Sequence, residues 1–150
     1  MCDLGKDRWP FEDNSAEDAV VTHVLEHLPG ESFFHFLREL YRVCAPGAKI
    51  HVIVPHPRHD IFIFDPTHYR PVTATMMSMF SKEVIDEAAG KMTPFAYLHG
   101  VDFRTTSVVY GIDGKLPPDM LAKVQANLAF YEKHMNNVVI EIHMELEAVK

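Results

Sequence analysis

Residues Trp9 to Pro55, WPFEDNSAEDAVVTHVLEHLPGESFFHFLRELYRVCAPGAKIHVIVP, decide the fold. Ala19–Val24 is short, apolar and β-branched, with one Thr and one His, and reads as a buried strand. Pro29-Gly30 marks a turn. Ser32–Cys44 then places Phe33, Phe36, Leu37, Leu40, Tyr41 and Cys44 on one helical face, with Arg38, Glu39 and Arg42 mostly opposite. Ala45-Pro46-Gly47 is expected to stop that helix, because proline disfavours a helical residue before it and glycine turns the chain. Ile50–Val54 is a second buried strand, closed by Pro55. Strand, helix, strand at this spacing predicts a parallel crossover in an α/β sheet.

Working outward, Met1–Asn14 is a charged lead-in to Trp9-Pro10-Phe11. Beyond Pro55, the segment PHPRHDIFIFDPTHYRP reads as a long irregular loop, a feature usually tied to function. Thr73–Lys91 is expected to be helical in one or two pieces, with a start at Ser81. Phe103–Ile112 reads as a strand, and Pro117–His134 as a helix opening on two prolines. Asn137–Val149 alternates Val138, Ile140, Ile142, Met144 and Leu146 against Val139, Glu141, His143, Glu145 and Glu147. That is a period-2 strand with one wet face.

The chain has 150 residues, 47% hydrophobic and 23% charged, which fits one domain spanning 1–150. Its formal charge of −7, with no Lys/Arg block, argues against a nucleic-acid footprint. Cys2 and Cys44 make no disulfide framework, so a reduced, cytoplasmic setting is expected. Neither a signal peptide nor a membrane-length apolar run is found.

The residues Asp18-Ala-Val-Val-Thr-His-Val-Leu-Glu-His-Leu28, Arg38-Glu-Leu-Tyr-Arg-Val-Cys-Ala-Pro-Gly47 and the strand Lys49–Pro55 resemble the fourth strand, next helix, Pro-Gly turn and fifth strand of class I S-adenosylmethionine-dependent methyltransferases. Trp9–Ser15 is similar to the segment before that family's fourth strand, and Asp65-Pro-Thr-His-Tyr-Arg70 to a loop of a bacterial subgroup. The resemblance implies an α/β, truncated Rossmann-like methyltransferase sheet, mostly parallel with an antiparallel C-terminal strand pair. It implies S-adenosylmethionine as cofactor. It also implies cofactor contacts from Asp3, Leu4 and His23, and a substrate side formed by Glu26, His27 and His68.

The family's first strand, its Gly-rich turn and the ribose-binding carboxylate after its second strand have no counterpart here. The seven glycines, from Gly5 to Gly114, are nowhere clustered. That turn lets backbone approach the ligand, so cofactor affinity is expected to be weak or lost. With its family neighbours gone, the first strand is expected to lie at a sheet edge and to pair with a second copy or a partner chain. The expected acceptor is a small molecule or unknown, and no membrane partner is expected. The alternative function is a non-catalytic interaction module.

Each candidate has a competing structural role. Asp3 can belong to a frayed terminus, Glu26 and His27 can brace the next helix, and Asp65–Arg70 can be a self-satisfied polar turn rather than a substrate grip. Met76, Met77, Met79 and Phe80 are expected to be core. His51, His56, His59 and His68 with Asp60 and Asp65 raise a remote third reading, a metal hydrolase. They lie in a proline-broken loop without helical spacing or thiolates, so no metal site is expected.

Overall fold

The computed structural model describes residues 2–150. Strand β1, Ala16–Thr22, leads through a 3-10 turn at Leu25–His27 into helix α1, Gly30–Val43, and then strand β2, Cys44–Pro55. Short helices α2 (Asp60–Phe64), α3 (Ala74–Ser78), α4 (Lys82–Glu87) and α5 (Phe95–His99) follow. Strand β3 (Phe103–Ile112), helices α6 (Pro118–Ala126) and α7 (Leu128–His134) and strand β4 (Val139–Ala148) complete the order.

The strands form one sheet in the order β1-β2-β4-β3. β1 and β2 pair in parallel, while β4 runs antiparallel to both β2 and β3. Three strands therefore share one direction and β4 reverses, which is the α/β arrangement that the family resemblance implies.

The amphipathic face of α1 explains the core. Phe33, Phe36, Leu37, Leu40 and Val43 are buried with Val21 of β1, Ile50, Val52 and Val54 of β2, and Ile142, Met144 and Leu146 of β4. The opposite sheet face is more open: His51 and Val109 are exposed and His143 is partly so. The expectation that β1 and β2 are buried throughout is corrected accordingly. In β2 the buried residues alternate with His51, and Val20 of β1 is 72% exposed beside Val21 at 4%.

The Ala45-Pro46-Gly47 segment does not form a separate turn. α1 ends at Val43 and β2 begins at once. The tripeptide becomes a bulge, since Ala16 pairs with Cys44 but Asp18 pairs with Lys49, and Gly47 takes φ +78°. Proline still keeps Ala45 out of the helix. The predicted loop after Pro55 contains α2, whose start is capped by the His59 ring accepting from the Ile61 N–H. The predicted helix 117–134 is broken at Asn127, which leaves helical space at φ −149°. β3 has the predicted bounds, and Thr73 and Ser81 cap α3 and α4.

Candidate functional site

The parallel strands end together at one edge of the sheet, where the His23 N–H donates to the Ile53 carbonyl at 2.9 Å. Ligand sites of open α/β sheets lie at this edge. Immediately after β1 the chain bends sharply, with His23 at φ +51°, and the 3-10 turn turns Glu26 inward until it is fully buried. The Tyr69 N–H donates to the Glu26 carbonyl at 2.8 Å, which docks the Asp65–Arg70 loop on that turn.

Docking brings Glu26, His27 and His68 together. One carboxylate oxygen of Glu26 and one ring nitrogen each of His27 and His68 all lie within 4.8 Å of one another. The two rings lie with centroids 4.6 Å apart, tilted by 57°. Their hydrogen bonds fix the tautomers. A carbonyl only accepts, so His68 Nδ1–H donates to the Phe62 carbonyl at 2.8 Å, and Phe62 stacks on the His68 ring. The Thr67 hydroxyl donates to Asp65 Oδ1 at 2.6 Å and therefore accepts from His27 Nδ1–H at 2.9 Å. Both rings thus leave Nε2 without a hydrogen bond, and His68 Nε2 lies 3.8 Å from Asp65 Oδ2. Hydrogen bonds from the Thr67 hydroxyl and backbone N–H hold the Asp65 carboxyl below its ordinary range.

Glu26 Oε1 lies 3.2 Å from His23 Nδ1, whereas Glu26 Oε2 is buried without a hydrogen-bond partner. His23 Nε2 lies 3.3 Å from Glu141 Oε1, and Glu141 Oε2 lies 3.1 Å from His143 Nε2. Sequence reasoning missed Glu141. Its signal was present, because it is a wet-face residue near the start of β4, and the register sets it opposite Pro55 at this edge.

The expected cofactor residues are distributed differently. Asp3 is not frayed: its carboxylate accepts from the Gly5 N–H at 3.0 Å and lies 3.4 Å from Lys6, so it builds a local turn. That turn packs on α1 so closely that a Cβ on Gly5 would come within 2.8 Å of Ser32 Cβ. Leu4 lines an apolar cleft of about 510 Å³ along the free side of β1, with Trp9, Phe11, Val20 and Val24. His23 does not line that cleft, although its neighbour Val24 does.

The loop histidines are used elsewhere. His56 is buried, 3.2 Å from Glu132, and its burial pushes the ring pKa down. His59 lies 3.4 Å from Asp113. Neither joins His51 or His68 in a common cluster among the described residues. Arg70, at the end of the Asp65–Arg70 loop, lies over the Phe33 ring at 4.5 Å, and its Nε is buried without a partner. Met77 is core, as expected.

Comparison with known proteins bears on the fold. Residues 3–52 match the methyltransferase-domain family. A SAM-dependent methyltransferase from Archaeoglobus fulgidus superimposes with a TM-score of 0.59 at 15% identity, covering 97% of this chain and 65% of that one. The [4+2]-cyclase SpnF gives 0.53 at 14%, covering 99% and 54%. The 1,6-didemethyltoxoflavin-N1-methyltransferase of Burkholderia thailandensis, solved with S-adenosylhomocysteine bound, gives 0.51 at 11%, covering 99% and 49%. No curated protein matches.

The chain spans less than two thirds of the length of these solved proteins. Its fold is that of the class I S-adenosylmethionine-dependent methyltransferases. The sequence resemblance to that family holds over residues 3–52.

Proposed function

We propose that these 150 residues form one methyltransferase-like domain, the acceptor-facing part of a class I S-adenosylmethionine-dependent site. The observation that carries this is the convergence of Glu26, His27 and His68 at the C-terminal edge of parallel strands in a methyltransferase fold. When bound, S-adenosylmethionine supplies an electrophilic methyl group on sulfur.

The residues present fit that cofactor in part. Leu4, Trp9, Phe11 and Val24 offer an apolar wall for a flat base, and Asp18 lines the same cleft. No Gly-rich turn accompanies them in the 150 residues. The chain by itself therefore holds the cofactor weakly, with Asp3 shaping the turn that carries Leu4 and His23 facing the methionine end. Glu26, His27 and His68 hold the acceptor, and a free Nε2 takes its proton. The acceptor carries an apolar portion, because exposed Ile61, Ile63, Phe64 and Tyr69 flank His68 in the chain. No helix among the described residues is long and apolar enough to cross a membrane, and both cysteines are free, which fits a reduced cytoplasmic setting.

Calorimetric titration of S-adenosylhomocysteine tests the cofactor assignment. The expected dissociation constant is weaker than about 100 μM, and His23→Ala weakens it by more than about twofold, a few tenths of a kcal/mol. A low-micromolar constant, or a constant unmoved by His23→Ala, contradicts the assignment.

A second reading, an interaction module, is favoured by the free edge of β1. Val20 is 72% exposed on a strand with no partner on that side among the described residues, and the apolar cleft runs beside it. We propose that a second copy, or a partner chain supplying the Gly-rich half, covers this edge. Light scattering at tens of micromolar is expected to show a dimer of the 17.1 kDa chain that Val20→Lys converts to monomer. A wild-type monomer removes the homodimer.

A further inference from the structure

The geometry points to a divalent transition-metal site, of the zinc class, built from Glu26, His27 and His68. This departs from the absence of a metal site expected from sequence, which weighed His68 with the other loop histidines rather than with Glu26 and His27.

Three observations carry it. First, the donor set is two imidazoles and one carboxylate, a set that binds zinc and similar ions and leaves a coordination position open. Second, Glu26 is fully buried, and its Oε2 has no hydrogen-bond partner. A buried carboxylate oxygen without a partner is costly, and a cation beside it removes that cost. Third, the outer contacts are those of ligating histidines. Each ring donates Nδ1–H, one to the Phe62 carbonyl and the other to the Thr67 hydroxyl, which is itself held by Asp65. Such contacts orient a ring and leave Nε2 for an ion.

The three donor atoms span up to 4.8 Å. At bonds of about 2.0–2.2 Å in a tetrahedral site, two ligand atoms of one ion lie about 3.3–3.6 Å apart, so the three donors must close by up to about 1.5 Å to seat it. Glu26 and His27 come from one 3-10 turn and His68 from a loop docked on it, so each side can make that adjustment. His27 and His68 are only partly buried, which leaves the ion open to an exchangeable ligand. Metal binding stands independently of methyl transfer. Its role rests on the function proposed above, with the ion taking over from the free Nε2: the open position would take an acceptor oxygen and favour its deprotonated form, the proton leaving to solvent.

Zinc titrated calorimetrically into the EDTA-treated 150-residue chain is expected to bind once per chain with submicromolar affinity. His27→Ala and His68→Ala should each weaken binding at least about tenfold. Thr67→Val, a surface change outside the ligand set, should weaken it about 10- to 100-fold. His51→Ala and His134→Ala should leave it unchanged. In unsubstituted protein, cobalt should broaden the ring signals of His27 and His68 first, a readout that survives if a variant fails to fold. Absence of saturable binding, or binding that tracks His51, His56 or His134 instead, overturns the site. Failure of the S-adenosylhomocysteine titration bears only on the methyltransferase reading.

Discussion

Replacing Phe33 by alanine is expected to cost about 3–5 kcal/mol of folding stability. Phe33 is fully buried, with its ring centroid 6.0 Å from that of Phe80 and 5.5 Å from that of Phe34. It also lies beneath the Arg70 guanidinium. Truncation leaves a cavity under α1 and removes the surface that carries Arg70, at the end of the loop holding His68. Phe33→Leu keeps most of the volume and should recover more than half of the loss. Urea unfolding of the three proteins checks this. A Phe33→Ala loss below about 1 kcal/mol would mean that the site does not yield a cavity of the expected kind.

Arg42→Ala should rank next, at about 3 kcal/mol. Arg42 donates to Glu39 Oε1 at 2.9 Å and Oε2 at 2.7 Å, to the carbonyls of Phe11 and Trp9, and to Asp13. Glu39 Oε2 also accepts the Trp9 N–H at 2.8 Å. The Arg42 hydrogen bonds, then the Trp9 N–H, lower the Glu39 pKa from 4.5 to about 2. The sign follows from linkage. A depressed carboxyl contributes stability that is fully present above about pH 4.5 and is lost as pH falls towards 2, at most about 3 kcal/mol in all. Arg42→Ala should remove most of that acid-side slope as well as lowering stability at pH 7. Denaturation midpoints from pH 2 to pH 7 report both. A slope equal to that of the unsubstituted chain would mean that Arg42 does not set the Glu39 pKa. The effect reaches function because this pair ties residues 9–13 to α1, and those residues position the cleft wall beside Leu4.

The sequence was most legible where a single periodicity governs an element. The apolar face of α1 and the alternation of β4 from Ile142 onward predict most of their buried residues, because one covered face dictates each pattern; Val139, set on the wet face, and Glu39, set opposite the apolar face, are buried instead. The sharing of an edge by His23, Glu26 and His27 was legible too, since all three directly follow an apolar strand. His68 was legible as part of a polar loop, but its place beside Glu26 and His27 only through the family resemblance. Its approach to Glu26 depends on a backbone bond between residues 26 and 69, which no local pattern encodes. Glu141 was missed because its partner, His23, is distant in sequence and meets it only through the β2–β4 register. The Ala45–Gly47 segment misled for a different reason. Proline and glycine specify a departure from helix, and both a turn and a strand bulge satisfy that requirement.

The central claim is that a methyltransferase-type ligand lies along β1 and reaches the Glu26–His27–His68 edge. Chemical-shift mapping with millimolar S-adenosylhomocysteine tests it most directly. The account predicts perturbations concentrated at Leu4, Val20, His23 and Val24, extending to Glu26. Perturbations confined to the opposite sheet face around His51 and Val109, or to His56 and His59, would contradict it.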